Sequence, residues 1–177
     1  MDVFEAIERR HSYRGPFADT PVPRDDLQRI VQAGIQAPSG KNAQTTQFVI
    51  ADEPGLVSAI GRMHPANTAM QQCRALIACI VDVSPEPVYR GHSFYIEDCA
   101  AAAENMLLAI TALGYASVWI DGWLRVEGHA AMINQLLGLP ESKTVRIILP
   151  VGVPAQANRQ KEKKPFEQRA WFNRYGT

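Results

Sequence analysis

Metal-binding clusters, paired cysteines, an excess of either charge and a membrane-length apolar run are all missing from this chain, and each absence removes a class of function. Cys73, Cys79 and Cys99 are odd in number and lack the short paired spacings of zinc sites and redox dithiols. They are expected as small buried hydrophobes. His11, His64, His92 and His129 are scattered rather than grouped with acids, so no metal site is expected. Eighteen basic and eighteen acidic side chains cancel, which argues against a general polyanion binder and makes nucleic acid an unexpected partner. The longest apolar runs, such as Leu76 to Val81, are far too short to cross a bilayer. Met1-Asp2-Val3-Phe4-Glu5 has neither the basic start nor the apolar stretch of a signal peptide, so a soluble, cytoplasmic protein is expected.

Two nucleotide-binding signatures are also absent. No G-x-G-x-x-G follows a strand, which leaves a dinucleotide-binding Rossmann unit unsupported. Gly34 to Asn42 imitates a phosphate-binding P-loop but fails as one: five residues separate the glycines, Asn42 replaces the hydroxyl that would hold magnesium, and the segment follows a helix instead of opening one. No low-complexity linker divides the 177 residues, so one domain is expected over 1–177, with 155–177 as a tail.

What is present reads as more helix than strand. Asp2 and Glu5 form a candidate capping box for a first helix whose apolar face is Val3, Phe4 and Ile7. A second helix carries Leu27, Ile30, Val31, Gly34 and Ile35 at helical spacing and stops at Pro38. Short helices are expected at Pro54 to Ile60, Asn67 to Cys73 and His129 to Leu137, and a long one, apolar around most of its circumference and so buried, from Phe94 to Leu113. Strands are expected at Gln47 to Ala51, Leu76 to Val81, Ala116 to Ile120 and Thr144 to Val151; the second is a continuous apolar run covered on both faces. The sum is an α+β layered domain. Ser84 to Ser93 is a loop placed to gate a site, Lys161-Glu162-Lys163-Lys164 is a basic run in the tail, and the near-terminal Trp171, Phe172 and Tyr175 point to docking onto something.

The densest chemistry lies in Arg9-Arg10-His11-Ser12-Tyr13-Arg14, where the first helix stops. Two readings stand side by side. Guanidinium forks, a hydroxyl and freed backbone N–H groups can together grip a phosphate; alternatively, cations simply sit well against the negative end of a helix dipole.

Taken in order, Arg10-His11-Ser12 with Arg14, Ala37-Pro38-Ser39 with Asn42 and Gln44, Glu104-Asn105-Met106-Leu107-Leu108 ending in Leu113-Gly114, Ile120-Asp121-Gly122 and the basic tail resemble the nitroreductase family of FMN-dependent oxidoreductases over nearly the whole chain. The resemblance implies a three-layer α+β sandwich with a mostly antiparallel central sheet, assembled as an intertwined homodimer with FMN at the subunit interface. It implies that Arg10, His11 and Ser12 hold the FMN phosphate and ribityl chain with Lys161 and Lys163, that Arg14 lies by the pyrimidine edge, and that Pro38, Ser39 and Asn42 come from the second subunit. Asn67 would contact the ring, and Ile120, Asp121 and Gly122 would lie along one flavin face, with backbone N–H of Asp121 or Gly122 aimed at N5 or O4. The implied reaction is ping-pong hydride transfer from NAD(P)H through flavin N5 to a nitroaromatic, quinone or similar small acceptor, with no side chain required as acid or base. A specialist such as a dehalogenase, desaturase or flavin-fragmenting enzyme, or a non-catalytic FMN-binding protein, are the alternatives. Two departures stand out: Thr45-Thr46 replaces the family's Pro-Trp, and Met70 stands where members often have lysine.

Overall fold

The computed structural model describes residues 1–157 and 160–176; positions 158, 159 and 177, which belong to the expected tail, lie outside the described residues. Its centre is an antiparallel sheet of β1 (Gln47–Ala51), β2 (Ala75–Asp82) and β3 (Lys143–Val151), with β2 in the middle. Side chains of a strand alternate between faces. Leu76, Ala78 and Ile80 therefore enter one core while Ala75, Ile77, Cys79 and Val81 enter another. A strand buried on both faces has no room for polar alternation, and this is why β2 is a continuous apolar run.

Two helical layers cover those faces. α2 (Arg24–Ile35) and α5 (Tyr95–Ala112) supply Leu27, Ile30, Val31, Cys99, Ala103, Met106, Leu107 and Ile110 to one. α3 (Pro54–Arg62), α4 (Thr68–Gln72) and α6 (His129–Leu136) cover the other through Val57, Ile60, Ala69, Met70 and Ile133. The result is the expected three-layer α+β sandwich. All three cysteines are buried and unpaired, and burial pushes the Cys73 thiol up to about 12, where it is chemically quiet.

Four details differ from the sequence reading, each with a physical reason. First, Asp2 caps α1 (Val3–Arg9) by accepting from the Glu5 N–H at 2.9 Å, but Glu5 does not reach back; its carboxylate turns along the helix to Arg9 at 3.3 Å. Second, the apolar face of α1 is uncovered, with Phe4 80% exposed. Third, α5 is buried on one side only, since Ile96, Glu97 and Glu104 on the other side are exposed.

The fourth concerns the expected strand at Ala116 to Ile120. It lies against β3 as two separate bridges, Ala116 with Gly152 and Ile120 with Ile148, in place of a continuous ladder. Between them Val118 faces Pro150, which has no N–H to donate. β3 also carries a bulge: the register steps from Cys79–Ile147 to Ile80–Val145, so Arg146 is the extra residue. Bulges re-aim a side chain, and this one turns Arg146 out of an apolar strand.

Layer contact depends on close backbone approach at α3. A Cβ on Gly61 would meet the Met70 carbonyl of α4 inside van der Waals contact, and backbone cannot step aside as a side chain can. Gly61→Ala gains about 1 kcal/mol of helix propensity, yet the overlap should cost about 1–3 kcal/mol more than that gain. Urea unfolding of the variant should show a lower midpoint at unchanged slope; a raised midpoint would mean that the helices do not approach this closely.

Candidate functional site

The arginine cluster acquires a direction just after α1. The chain leaves the helix at Arg10, extends, and bonds in parallel to the Ala116 to Ile120 segment, with the Tyr13 N–H donating to the Ser117 carbonyl at 2.8 Å. Tyr13 turns inward: its ring is buried against Phe17 at 5.2 Å, and its hydroxyl donates to the Pro16 carbonyl. The two-residue period of extended chain then turns Ser12 and Arg14 the other way.

On that outer side Arg10, His11, Ser12 and Arg14 meet Gln160, Lys161 and Lys163 of the tail around a cleft of about 490 Å³. Six residues from two ends of the sequence, each expected to hold part of one flavin nucleotide, thus line one cavity. Gln160 makes the join, accepting from Arg10 at 3.2 Å and donating to the Glu8 carbonyl at 3.1 Å. Arg10 is steadied from its other side by Glu104 of α5 at 3.3 Å. Arg9 points away to Glu5. His11 donates from Nδ1 to the Arg9 carbonyl, which leaves its buried Nε2 without a partner among the described residues. Arg14, Lys161 and Lys163 have no acidic partner among the described residues. Arg9 alone is paired along the helix, while Arg10, His11, Ser12 and Arg14 face the cleft with the tail lysines.

Pro38, Ser39 and Asn42 lie on the loop after α2, away from that cleft. Three non-glycine residues there adopt left-handed backbone, Lys41, Asn42 and Gln44 with φ of 50°, 57° and 51°. Such backbone is costly and has to be held by its surroundings. The holder is Asp98 in the first turn of α5: its buried carboxylate accepts from the Gly40 N–H at 2.9 Å and the Thr45 hydroxyl at 2.8 Å. Ser39 Oγ accepts from the Gln44 N–H at 2.9 Å. Beside this loop a pocket of about 230 Å³ is lined by Thr45, Thr46, Phe48, Gly34 and Ala102 among others, and the buried Thr46 hydroxyl has no hydrogen-bond partner among the described residues. Nothing in the sequence marked Asp98, because its partners lie more than fifty residues away.

The Ile120-Asp121-Gly122 turn is held from three sides. Asp121 takes a bidentate grip from Arg125, at 2.7 and 2.8 Å, and a further bond from Arg146 on the bulge. Burial works to raise the Asp121 carboxyl, but the Arg125 and Arg146 guanidiniums outweigh it and hold the group below the usual carboxylate range. Trp123 is clamped between His64 at 4.6 Å and His129 at 4.1 Å, both rings nearly parallel to it, and His129 Nδ1 bonds the Trp123 carbonyl at 2.9 Å. Among the described residues nothing accepts from the N–H groups of Asp121 and Gly122. Ile120 is committed elsewhere, its side chain in the core and both backbone groups bonded to Ile148. Asn67 is buried and caps α4 by accepting from the Met70 N–H at 3.2 Å, and Met70 is itself core. Among the described residues no three His, Cys, Asp or Glu side chains converge on a point.

A three-layer fold with a basic cleft at the end of its first helix defines the class, and comparison with known proteins supplies the family. The nitroreductase family model matches residues 7–72 and 62–153, so the chain belongs to the nitroreductase family. A relative from Methanothermobacter thermautotrophicus, named "Putative NADH dehydrogenase/NAD(P)H nitroreductase", is 30% identical over 156 residues, covering 88% of this chain and 79% of its own. A solved structure of the same name from Bacteroides thetaiotaomicron superposes with a TM-score of 0.83 at 25% identity, covering 98% of each chain. The NADPH:FMN oxidoreductase of Vibrio harveyi, solved with NAD+, shares the fold at a TM-score of 0.82 and 23% identity, over 99% of this chain and 78% of its own.

Two outcomes follow from this geometry. Asp98→Ala strands the Gly40 N–H and the Thr45 hydroxyl, and should cost about 1–3 kcal/mol while speeding hydrogen exchange at Gly40 well above that of β2; equal exchange in both proteins would rule out the clamp. Because the folded Asp121 carboxyl is depressed, its stabilisation is present above the unfolded value of about 4 and disappears as pH falls through the folded one. Stability measured from pH 6 downward should therefore decline less steeply in Asp121→Asn than in the wild type.

Proposed function

We propose that the chain is an FMN-dependent oxidoreductase that takes electrons from NAD(P)H and passes them to a small acceptor such as a nitroaromatic or quinone. The observation that carries this is the cleft in which Arg10, His11, Ser12, Arg14, Lys161 and Lys163 converge. A phosphate monoester is nearly dianionic at neutral pH, and forked guanidiniums, ammonium groups and a hydroxyl are the donors that suit it. The buried His11 Nε2, without a partner among the described residues, supports this reading. Relatives named as NAD(P)H nitroreductase and NADPH:FMN oxidoreductase support the same reading.

FMN bound here would supply an N5 atom that accepts and returns hydride. The chain's own part is to bind, orient and tune. Arg10, His11, Ser12, Lys161 and Lys163 hold the phosphate and ribityl chain. Arg14, an exposed cation on the same side as Ser12, serves the pyrimidine edge, where it favours the negative charge that reduction brings. The N–H groups of Asp121 and Gly122 are the donors toward the N5 edge. The Asp121 carboxylate is locked by two arginines, so it orients the turn and is not the acid or base of the reaction. Ile120 anchors that turn from the core along one flavin face, and Asn67, held as the cap of α4, would contact the ring.

Pro38, Ser39 and Asn42 complete the site from a second copy of the chain. The surface supports a homodimer: Val3, Phe4 and Ile7 of α1, Ile96 of α5, and Phe166, Phe172 and Tyr175 of the tail are large exposed apolar side chains, more than scattered surface residues require. The 155–177 tail packs on the partner in this reading.

The purified protein should be yellow and should bleach when titrated anaerobically with NADH or NADPH. Arg10→Ala and Ser12→Ala should each remove about 1.5–3 kcal/mol of FMN binding, roughly one to two decades in Kd. A colourless protein that ignores added FMN, or unchanged flavin affinity in both variants, would refute the assignment.

A further inference from the structure

Lys41 and Arg90 come from different loops, yet Lys41 Nζ lies 5.0 Å and the Arg90 guanidinium 5.4 Å from the centroid of one ring, that of Tyr89. Each cation is delivered by unusual backbone. Tyr89 and His92 exchange hydrogen bonds of 2.8 and 3.1 Å across Arg90-Gly91, whose φ values of 46° and 85° match the two left-handed positions of a type I′ hairpin turn. Lys41 has φ 50°. Asparagine or glycine would sit in these positions with less strain, and no packing rewards the longer side chains, because Lys41, Tyr89 and Arg90 are all exposed. The ring quadrupole attracts both cations and offsets their mutual repulsion. Neither has an acidic partner among the described residues. Two positive charges thus lie on one ring with no acidic partner among the described residues.

We propose that Lys41 and Arg90, seated on Tyr89, bind the 2′-phosphate of the adenosine end of the electron donor, so that the protein selects NADPH over NADH. A phosphomonoester carries about −1.5 to −2 charge at pH 7, and a guanidinium fork with an ammonium point charge is a suitable pair for it. The pyrophosphate is common to both donors and cannot discriminate between them. Lys41 lies between Ser39 and Asn42, which the proposed function assigns to the flavin site of the second copy, so in the homodimer it stands on the rim of that site, where a dinucleotide with its nicotinamide inside extends its other end. The donor's identity rests on the proposed function; the anion site does not.

The test titrates the purified protein with adenosine 2′,5′-bisphosphate, AMP and inorganic phosphate. The bisphosphate should bind at least about tenfold more tightly than AMP, and Lys41→Gln and Arg90→Gln, both at exposed positions, should each weaken it about tenfold. Tyr89→Phe should retain the binding and Tyr89→Ala should lose it, since the ring and not the hydroxyl seats the cations. Equal affinity for AMP and bisphosphate, or undiminished binding in both glutamine variants, overturns the proposal. Phosphate matching the bisphosphate overturns the donor assignment in favour of a free-anion site. In steady state the ratio of kcat/KM for NADPH over NADH should fall about tenfold in each glutamine variant, and an unmoved ratio also overturns the proposal. Flavin absorbance is read separately: a colourless protein refutes the oxidoreductase reading, while the titration still decides the fate of the Lys41–Arg90 site.

Discussion

One hydrogen bond, from the Tyr13 N–H to the Ser117 carbonyl, decides which way the basic cluster faces. It converts the end of α1 into extended chain with Tyr13 in the core, so Ser12 and Arg14 have only the outer side left to them. The same segment that accepts this bond runs on into Asp121 and Gly122. The basic cleft and the turn whose two N–H groups have no acceptor among the described residues are thus two ends of one short piece of backbone, and a shift in its pairing would move both together.

That piece is weakly laddered, which explains the effort spent on its far end. Pro150 removes the middle rung, so Ala116 to Ile120 hangs on β3 by its two outer bridges. The Arg146 bulge sends a guanidinium to Asp121, Arg125 adds a bidentate grip, and the His64–Trp123–His129 stack fixes the next residues. Charge-assisted bonds are stronger than neutral ones. Here they take the place of missing sheet hydrogen bonds.

What could be read from sequence divides along the same physical line. β2 was legible because a strand covered on both faces needs an unbroken apolar run, and α5 because eighteen helical residues repeat their pattern over several turns. Arg10, Ser12 and Arg14 were legible because residue type alone states their chemistry. Asp98 looked like one more acid near a helix start, and Arg146 like a solitary charge in a strand; their meaning resides in partners on other elements. Gln160 carried no signal, yet it joins the tail to α1 through Arg10 and the Glu8 carbonyl. The uncovered face of α5 was read from its apolar circumference as buried, and the apolar face of α1 was read without its cover. Periodicity reports that a face is apolar, and says nothing about which chain covers it.

The loop after α2 shows how the fold spends stability where it needs direction. Left-handed backbone at a residue with a side chain costs roughly 1–2 kcal/mol, and Lys41, Asn42 and Gln44 all adopt it. A buried polar group is itself unfavourable unless hydrogen-bonded, so Asp98 and the loop each resolve the other's deficit: the carboxylate gains two donors and the strained backbone gains a fixed acceptor. Were the loop only a connection, Gly or Asn at positions 41 and 44 would lower the strain. Keeping lysine and glutamine there means that the directions of those side chains matter more than the ease of the turn, and Lys41 is delivered, by that strain, onto the Tyr89 ring.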